Sequence, residues 1–317
     1  MHIEDIILSN LEGININKET NVLIALSGGM DSMCLFHILY KLNFKITCFV
    51  VNHNLRLNSE KEALQVKELI ESYSVGCEIY NWHGNINKNL ESEARDARYD
   101  ALIDYAKKMN FKYILTGHHE NDQIETFIMN LERGSGLDGL CSMQMSKYLI
   151  NGIYLIRPML NIAKDNIINY ISCNNITFFE DPTNADLSFK RNSIRSLMSN
   201  DDVLFNKRIS LAISNLQMAK LALDYYHTQE IHNIIQKNED NSFIINRDLF
   251  LKLPKYSQVI LLFDTFKIIA QKNYKGRRKS ILMIINKIKN LTQNKIEYSN
   301  CTIKMTLTEV KIIPNVA

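Results

Sequence analysis

A glycine- and serine-rich hexapeptide, Ser-Gly-Gly-Met-Asp-Ser at residues 27–32, most constrains what this chain can fold into. An apolar run at residues 22–26 precedes it and an amphipathic stretch follows it, which predicts a strand, a tight turn and the start of a helix. Two glycines permit a sharp bend and a close approach of backbone N–H groups to a ligand, while two hydroxyls and the helix N-terminus add donors. The hexapeptide therefore predicts a cradle for phosphate.

The hexapeptide contains no lysine, so it lacks the Gly-Lys-Ser/Thr ending of the Walker loop. In the Walker loop that lysine reaches toward the terminal phosphates of the nucleotide. A different type of phosphate loop is indicated.

Strand-length apolar runs alternate with helical patterns along the first half of the chain. We predict strands over residues 45–51, 77–82 and 112–116, a further strand over 154–158, and helices over about 31–42, 58–73, 90–109 and 164–173. This order predicts an α/β fold with a doubly wound parallel sheet. Ligands of such sheets bind beyond the carboxyl ends of the strands, where the hexapeptide, His53 and residues 117–119 fall. The glycine- and serine-rich residues 133–146 are expected to form a mobile loop over the site.

The last third of the chain has a different organisation. A helical pattern without proline or glycine covers residues 203–237, followed by predicted helices over 256–271 and 278–291 and short strands over 242–245, 301–305 and 310–313. We therefore expect a catalytic domain over residues 1–204, a helical connector over 205–237, and a second, smaller α+β domain over 238–317.

The net charge of +3 hides an asymmetry between these parts. Residues 1–204 hold 19 Lys+Arg and 26 Asp+Glu, a balance of −7, whereas residues 205–317 hold 18 and 8, a balance of +10. AT-biased codons explain a high lysine content, but they do not explain why the excess lies in one third of the chain. The basic part predicts binding to a polyanion such as nucleic acid.

The cysteine pattern and the N-terminal sequence indicate the cellular compartment in which the protein is expected. Six cysteines lie without any Cys-x-x-Cys pair, which argues against a zinc site or a dithiol redox centre and favours reduced, buried thiols. The N-terminus lacks a basic start before an apolar core, and no stretch of eighteen apolar residues follows. We expect a cytoplasmic protein without membrane contact.

A second group of polar residues, Gly-His-His-Glu-Asn-Asp-Gln-Ile-Glu-Thr at 117–126, follows a predicted strand. In a helix starting near Glu120, His118, Asp122 and Glu125 would share one face. Carboxylates and imidazoles beside a phosphate loop suit a magnesium-assisted transfer, since the metal offsets phosphate charge. The alternative is a solvated helix start whose acidic residues favour the helix dipole. Zinc fits less well because cysteine partners are absent.

Two further groups are less specific. Glu91, Arg95, Arg98 and Tyr99 recur at helical spacing, as they also would in an ordinary surface ion-pair ladder. An acidic turn at residues 180–184 precedes a basic helix start at 191–195, and together they could bind the amine and carboxylate of a zwitterion.

The hexapeptide resembles the pyrophosphate loop of the N-type ATP pyrophosphatases, which have an adenine nucleotide alpha hydrolase-like fold. In order along nearly the whole chain, further motifs are similar to those of the tRNA(Ile)-lysidine synthase family: residues 51–56, the helix over 91–99, residues 116–126, 133–136, Arg157-Pro158, the turn at 180–184, and Arg191-Asn192-x-x-Arg195. The histidine run and the acidic turn are more specific than the loop, which the whole superfamily shares. Because the chain ends at Ala317, we expect it to lack the second C-terminal domain of longer members.

The resemblance implies a ligase that forms a carbon–nitrogen bond. ATP would adenylate the oxygen on carbon 2 of the wobble cytidine of isoleucine tRNA with anticodon CAU, and the side-chain amine of L-lysine would then displace AMP to form lysidine. It implies Mg²⁺ as the metal and leaves a homodimer possible.

The resemblance also implies roles for individual residues. ATP would bind at Ser27, Gly28, Gly29, Met30, Asp31 and Ser32. Asp31 and Asp122 would hold the metal, with Glu125 completing the adenylation site. His118 and Arg98, together with Arg95, would stabilise charge on the transferred phosphoryl group. Asp181 and Arg191 would bind lysine.

Three alternatives stay open. A tRNA thiolation enzyme of the same superfamily needs cysteines that carry sulfur, and only Cys34 is near the loop. A small-molecule ligase of this fold has no use for the basic C-terminal part. An RNA-binding module with a relic nucleotide site is disfavoured because Asp122 and Glu125 would repel RNA.

Overall fold

A computed structural model of the chain describes residues 2–54, 59–82, 90–179, 203–270, 276–291 and 293–315. The chain divides into two compact units, Met1–Gln217 and Met218–Ala317. The division falls inside a single helix, so the predicted split into catalytic domain, connector and basic domain stays a prediction.

The first unit is an α/β layer structure. Its helices are α1 Ile3–Glu12, α2 Met30–Lys41, α3 Ser59–Ser72, α4 Leu90–Lys108, α5 Glu120–Glu132, α6 Leu137–Leu140 and α7 Lys164–Cys173. Its strands are β1 Asn21–Leu26, β2 Lys45–Asn52, β3 Cys77–Asn81, β4 Tyr113–Leu115, β5 Ser146–Ile150 and β6 Ile153–Ile156.

The six strands form one sheet in the order β3-β2-β1-β4-β6-β5. Val22, Leu23 and Ile24 of β1 are fully buried, as is typical of a central parallel strand covered on both faces. From β1 the chain adds β2 and then β3 on one side of the sheet, and it then returns to place β4 on the other side of β1. The crevice between the carboxyl ends of β1 and β4 is therefore the topological switch point, where such sheets bind ligands.

The doubly wound parallel sheet predicted from the sequence is confirmed, with three local corrections. β5 pairs antiparallel with β6 and forms an edge that was not predicted. Helix α1, which buries Ile3, Ile7 and Leu11, was also not predicted. The prediction of a mobile loop over residues 133–146 is wrong in part, because this segment contains helix α6. A hydrogen bond from Asn130 Nδ2 to the carbonyl oxygen of Gly139, 2.8 Å long, also ties α6 to α5.

The long helix of the last third, α8 Val203–Ile231, is shorter than predicted. It ends at Ile231, since Ile235–Lys237 forms strand β7 and pairs with β8 Phe243–Asn246. Three helices and three strands follow: α9 Arg247–Lys252, α10 Lys255–Ala270, α11 Arg278–Asn290, β9 Lys295–Tyr298, β10 Cys301–Met305 and β11 Glu309–Pro314.

The second unit contains an antiparallel sheet in the order β7-β8-β11-β10-β9. One face of it is buried, with Ile245, Ile303 and Ile312 fully inaccessible in the same core as Phe266 of α10 and Ile281 of α11. A small α+β arrangement was predicted, although α9, β7 and β9 were not.

Two expectations about compartment can be compared with the structure. Among the described residues, no helix is long and apolar enough to cross a bilayer. The six cysteines are free, and five of them are buried; the prediction of burial is wrong for Cys173, which lies exposed at the end of α7.

Candidate active site at the switch point

The loop between β1 and α2 has the geometry of a phosphate cradle. Gly28 has φ +79°, a left-handed conformation that favours glycine, and a Cβ atom there would lie 2.5 Å from Val66 Cγ2. The hydroxyls of Ser27 and Ser32 are 3.1 Å apart, and Ser32 Oγ donates to the carbonyl oxygen of Gly29 at 2.9 Å. These contacts close the loop on itself, and α2 begins directly after it at Met30. Its N-terminal N–H groups therefore face the switch point.

The turn after β4 lies against this loop. A Cβ atom on Gly117 would be 2.8 Å from the carbonyl oxygen of Asp31 and 3.0 Å from the backbone nitrogen of Ser32. Only glycine permits so close an approach of two backbones. The sequence prediction that residues 117–119 and the hexapeptide meet at one edge of the sheet is thereby confirmed.

A histidine bracketed by two carboxylates connects the two segments. His119 Nε2 lies 3.5 Å from Asp31 Oδ2 and 3.6 Å from Asp122 Oδ2, and the backbone N–H of His119 donates to Asp122 Oδ2 at 3.0 Å. His119 is buried and caps α5. Asp31 and Asp122 were predicted site residues but His119 was not, although its place in the same motif as His118 and Asp122 is the signal that could have identified it.

The second oxygen of Asp31 is also engaged. Lys164, the first residue of α7, places Nζ in hydrogen-bonding contact with Asp31 Oδ1. Burial disfavours the charged form of Asp31, but His119 and Lys164 outweigh it and lower the pKa of this carboxyl to about 2. Asp31 is therefore a carboxylate at neutral pH. Lys164 was not among the predicted site residues.

His118 lies beside this cluster and is not part of helix α5, which begins at Glu120. Its Nδ1 is 2.8 Å from Thr116 Oγ1. Burial and three nearby guanidinium groups lower the pKa of His118 to about 3, although the carboxylate of Asp122 opposes that shift. A neutral imidazole carries one N–H donor, and in the tautomer whose Nδ1 accepts from the Thr116 hydroxyl that donor is Nε2–H. His118 can therefore stabilise negative charge by a hydrogen bond but not by its own positive charge.

The three guanidinium groups are those of Arg157, Arg98 and Arg95. Arg95 and Arg98 of α4 lie 5.2 and 5.6 Å from the ring centre of Tyr99, within the range of cation–π contact. Arg157 follows β6, is almost fully buried, and donates from Nη1 to the carbonyl oxygen of Gln144 at 2.8 Å. Three positive charges near a neutral histidine favour an anion at this point.

Glu125 differs from the other predicted residues because only 1% of its surface is exposed. It lies on α5, one turn after Asp122, in the part of the helix that buries Ile124. The predicted shared face of His118, Asp122 and Glu125 is wrong for His118, which precedes the helix. A role for Glu125 in the adenylation site stays a prediction.

The described residues can be tested for a fit to Mg²⁺. They contain no group of three or more His, Cys, Asp or Glu side chains arranged to hold a metal ion. Asp31 and Asp122, however, flank a common imidazole, and Mg²⁺ is usually held by one or two carboxylates together with substrate phosphates and water. The donor set fits a metal shared with a nucleotide.

Several predicted residues cannot be placed. Asp181 and Arg191, the residues expected to bind lysine, lie outside the described residues, as do Arg195 and Arg56. Only the backbone of Glu91 is described.

Known proteins are similar to this chain in sequence. Residues 3–201 match the model of the PP-loop domain family. The tRNA(Ile)-lysidine synthase of Wolbachia pipientis wMel is 34% identical over 313 residues, which cover 94% of this chain and 70% of that protein. The enzyme of the same name from Mycoplasma mycoides subsp. mycoides SC is 33% identical, covering 88% and 69%.

A solved structure supports the fold alone. The U34-tRNA thiolase NcsA from Methanococcus maripaludis superposes with a TM-score of 0.57 at 17% identity, over 67% of this chain and 76% of that one.

Proposed function

This chain belongs to the PP-loop family and, within it, to the tRNA(Ile)-lysidine synthases, and from that membership we propose how its site forms lysidine. It is an ATP-dependent ligase that acts on isoleucine tRNA. The observation that carries the assignment of the site is the meeting of a phosphate loop, Asp31 and Asp122 around His119 at the switch point of the sheet.

In the first step the tRNA base is adenylated. The oxygen on carbon 2 of the wobble cytidine attacks the α-phosphorus of ATP, the bond between the α-phosphorus and the bridging oxygen breaks, and pyrophosphate leaves with the electron pair. N–H groups of the loop and of α2 bind the leaving pyrophosphate. Arg98, Arg95 and neutral His118 stabilise the charge on the transferred phosphoryl group. A wobble base lies in a single-stranded loop, so turning it into the site costs little.

Mg²⁺ is part of the proposal. Asp31 and Asp122 would hold it, and when bound it would neutralise phosphate charge and polarise the phosphoryl oxygens. Glu125 completes this side of the site in the proposal.

In the second step lysine replaces AMP. The side-chain amine of L-lysine attacks carbon 2, the bond from carbon 2 to its oxygen breaks, and AMP leaves with that oxygen while the amine loses a proton. We assign the amine and carboxylate of lysine to Asp181 and Arg191, because an acidic turn beside a basic helix start matches a zwitterion.

The order of these steps can be tested by labelling the α-phosphorus of ATP. With CAU-anticodon isoleucine tRNA and without lysine, we expect labelled AMP to become attached to the tRNA while pyrophosphate is released. Adding lysine should then release the label as free AMP. Label found on lysine instead of tRNA would contradict the proposed order.

The exposed sheet face of the second unit supports tRNA binding by the basic C-terminal part. Lys304 of β10 lies directly opposite Lys295 of β9 on one side and Lys311 of β11 on the other. Like charges facing each other across strands destabilise a sheet, although Lys295 Nζ also forms an ion pair with Glu297 Oε1 on its own strand at 2.9 Å. A row of three lysines on one face of a sheet is a surface suited to contact with a phosphate backbone.

Replacing Lys295, Lys304 and Lys311 with alanine should weaken tRNA binding and flatten its salt dependence. Each lost phosphate contact removes roughly 0.7–0.9 from the slope of log K against log salt, so the slope should fall by about 2 to 3. ATP binding should stay unchanged. Filter binding at several salt concentrations measures both.

A matched control carries the same charge change elsewhere. Lys45, Lys107 and Lys112 are exposed residues of the first unit, and Lys45 begins β2 at the edge opposite the candidate site. Their triple alanine variant should bind tRNA with the wild-type slope. Equal slopes for both triple variants would remove the lysine row from the tRNA-binding surface.

Sulfur transfer is the alternative reaction of this superfamily, and the thiol near the loop does not favour it. Burial raises the pKa of Cys34 to about 12, with a smaller contribution from Asp31, so this residue is not a thiolate at neutral pH. Lysine as the second nucleophile is therefore the reaction that we propose.

Compartment and assembly complete the proposal. We propose the cytoplasm as the compartment because the substrate is a tRNA. The resemblance left a homodimer open, and light scattering of the purified chain would decide between monomer and dimer.

A further inference from the structure

The ion pair between Lys164 and Asp31 does not stabilise the helix on which Lys164 lies. Lys164 is the first residue of α7, where a positive charge is unfavourable to the helix dipole. Its side chain is 29% exposed and that of Asp31, which belongs to the phosphate loop, is 34% exposed, so both partners of the pair are accessible to solvent. A lysine at this position therefore suggests a role toward the site.

The pair also creates a competition at Asp31. Oδ1 of this carboxylate is taken by Lys164 and Oδ2 faces His119 at 3.5 Å. A cation that arrives with ATP would be repelled by the ammonium on Oδ1, so cation binding by Asp31 is favoured when Lys164 leaves that oxygen. A lysine ammonium on its flexible four-carbon chain can move to a new anion without any change in the backbone.

We propose that Lys164 is the phosphate-binding lysine that the loop itself lacks. In the nucleotide-free chain it neutralises Asp31; when ATP binds, its ammonium moves to an oxygen of the β- or γ-phosphate, and Asp31 becomes available to the metal. The inference rests on the proposed function, in that the loop is taken to bind the pyrophosphate part of ATP.

The exchange explains how the site can both bind and release pyrophosphate. A Walker lysine lies within its own loop, whereas Lys164 comes from a separate element and has a second partner in Asp31. When pyrophosphate leaves, the ammonium of Lys164 returns to Asp31, so the carboxylate replaces the phosphate as its negatively charged partner. Product release is thereby made easier.

The competing explanation is a purely structural contact between α7 and α2. Lys41 offers the comparison, because it lies at the other end of α2 and donates from Nζ to Asn174 Oδ1, just after α7, at 2.9 Å. A structural role predicts that loss of Lys164 changes thermal stability in the same manner as loss of Lys41, with no selective effect on any ligand.

The test is equilibrium binding of three probes, namely ATP, inorganic pyrophosphate and AMP, each measured by calorimetry with Mg²⁺ and without tRNA. For Lys164→Met we expect ATP and pyrophosphate to bind about tenfold more weakly or worse, since a charge-assisted hydrogen bond is lost, while AMP binding stays within about twofold. Lys164→Arg should recover most of the affinity, and Lys41→Met should match wild type for all three probes. If Lys164→Met does not fold, Lys164→Gln, which keeps a donor for Asp31 without the charge, replaces it.

Two outcomes would overturn the inference: unchanged pyrophosphate binding in Lys164→Met or its replacement Lys164→Gln, or an equal loss of AMP binding in that variant. Either outcome leaves the proposed function intact as long as the wild-type chain binds ATP and modifies tRNA. Failure of the wild-type chain to do so would instead refute the proposed function itself.

Discussion

Replacing Asp31 with alanine is expected to abolish tRNA-dependent pyrophosphate release, with a fall in kcat/KM of at least about a thousandfold. Removing a single preorganised electrostatic group from an active site commonly costs roughly 10²–10³ in rate, and Asp31 combines contact with His119, contact with Lys164 and the proposed metal contact. Initial rates of pyrophosphate release by wild type and by Asp31→Ala, measured at saturating tRNA over a range of ATP concentrations that includes values below KM, give the ratio of the two kcat/KM values.

The matched control is Asp165→Ala, since Asp165 is an exposed carboxylate in the first turn of α7, one residue from Lys164. It should retain wild-type activity. Unchanged pyrophosphate release by Asp31→Ala would remove Asp31 from the metal and adenylation site.

The stability of the Asp31 variant depends on pH, because the folded chain changes the pKa of this carboxyl. The folded-state pKa of about 2 lies below the ordinary value of 3.8, so the ionised carboxylate stabilises the native chain at pH values above about 4. That contribution disappears as the pH falls toward 2. A melting curve at pH 7 will therefore show a modest destabilisation of Asp31→Ala, and activity should be measured well below its melting temperature.

Replacing Gly117 with alanine should reduce lysidine formation by about a hundredfold, because small displacements of catalytic groups have effects of this size. The new Cβ atom would lie 2.8 Å from the carbonyl oxygen of Asp31, which is backbone and cannot rotate away. The turn carrying His118 and His119 would have to move away from the phosphate loop. Steady-state kinetics with ATP as the varied substrate should show the loss.

Gly76→Ala is the control for a glycine substitution as such. Gly76 is exposed, and no atom lies within 4 Å of a Cβ built there. This variant should have wild-type kinetics and wild-type stability. Full activity in Gly117→Ala would show that the close approach of the two segments is not needed for catalysis.

The place of the site was predictable because it follows from sheet topology. The strand-turn-helix pattern around residues 27–32 and the histidine run at 117–126 each follow a buried strand, and parallel strands bring their carboxyl ends to one edge. Topology thus brings the segments that carry Asp31 and Asp122 together, whereas the choice of these two residues as metal ligands came from the family resemblance. His119 could have been included by the same reasoning.

The partner of Asp31 could not be predicted in the same way. Lys164 lies 133 residues further along the chain, and its contact depends on how α7 packs beside α2. Hydrophobic periodicity predicts that α7 exists and which side it buries, but it does not determine which residue of a neighbouring helix it faces. The pKa of His118 is also a property of the folded chain, since it depends on burial and on three arginines that are remote in sequence but close in space.

Local features were missed for different reasons. Helix α1 has buried residues at Ile3, Ile7 and Leu11, a spacing of four that a closer reading of the N-terminus would have recognised. Strand β5, Ser146–Ile150, has no buried residue, and its sequence shows no clear alternation of apolar and polar positions from which a strand could be predicted. Its pairing at the sheet edge is decided by the adjacent turn at Asn151 and Gly152, both of which have positive φ.

The most direct test of the proposed function is the mass of the tRNA after reaction. CAU-anticodon isoleucine tRNA is incubated with the purified chain, ATP, Mg²⁺ and L-lysine, and the anticodon fragment is analysed by mass spectrometry. We predict a gain equal to one lysine minus one water at the wobble cytidine, dependent on both ATP and lysine. A gain of sulfur at a tRNA base, or no change of mass with an active preparation, would contradict the assignment.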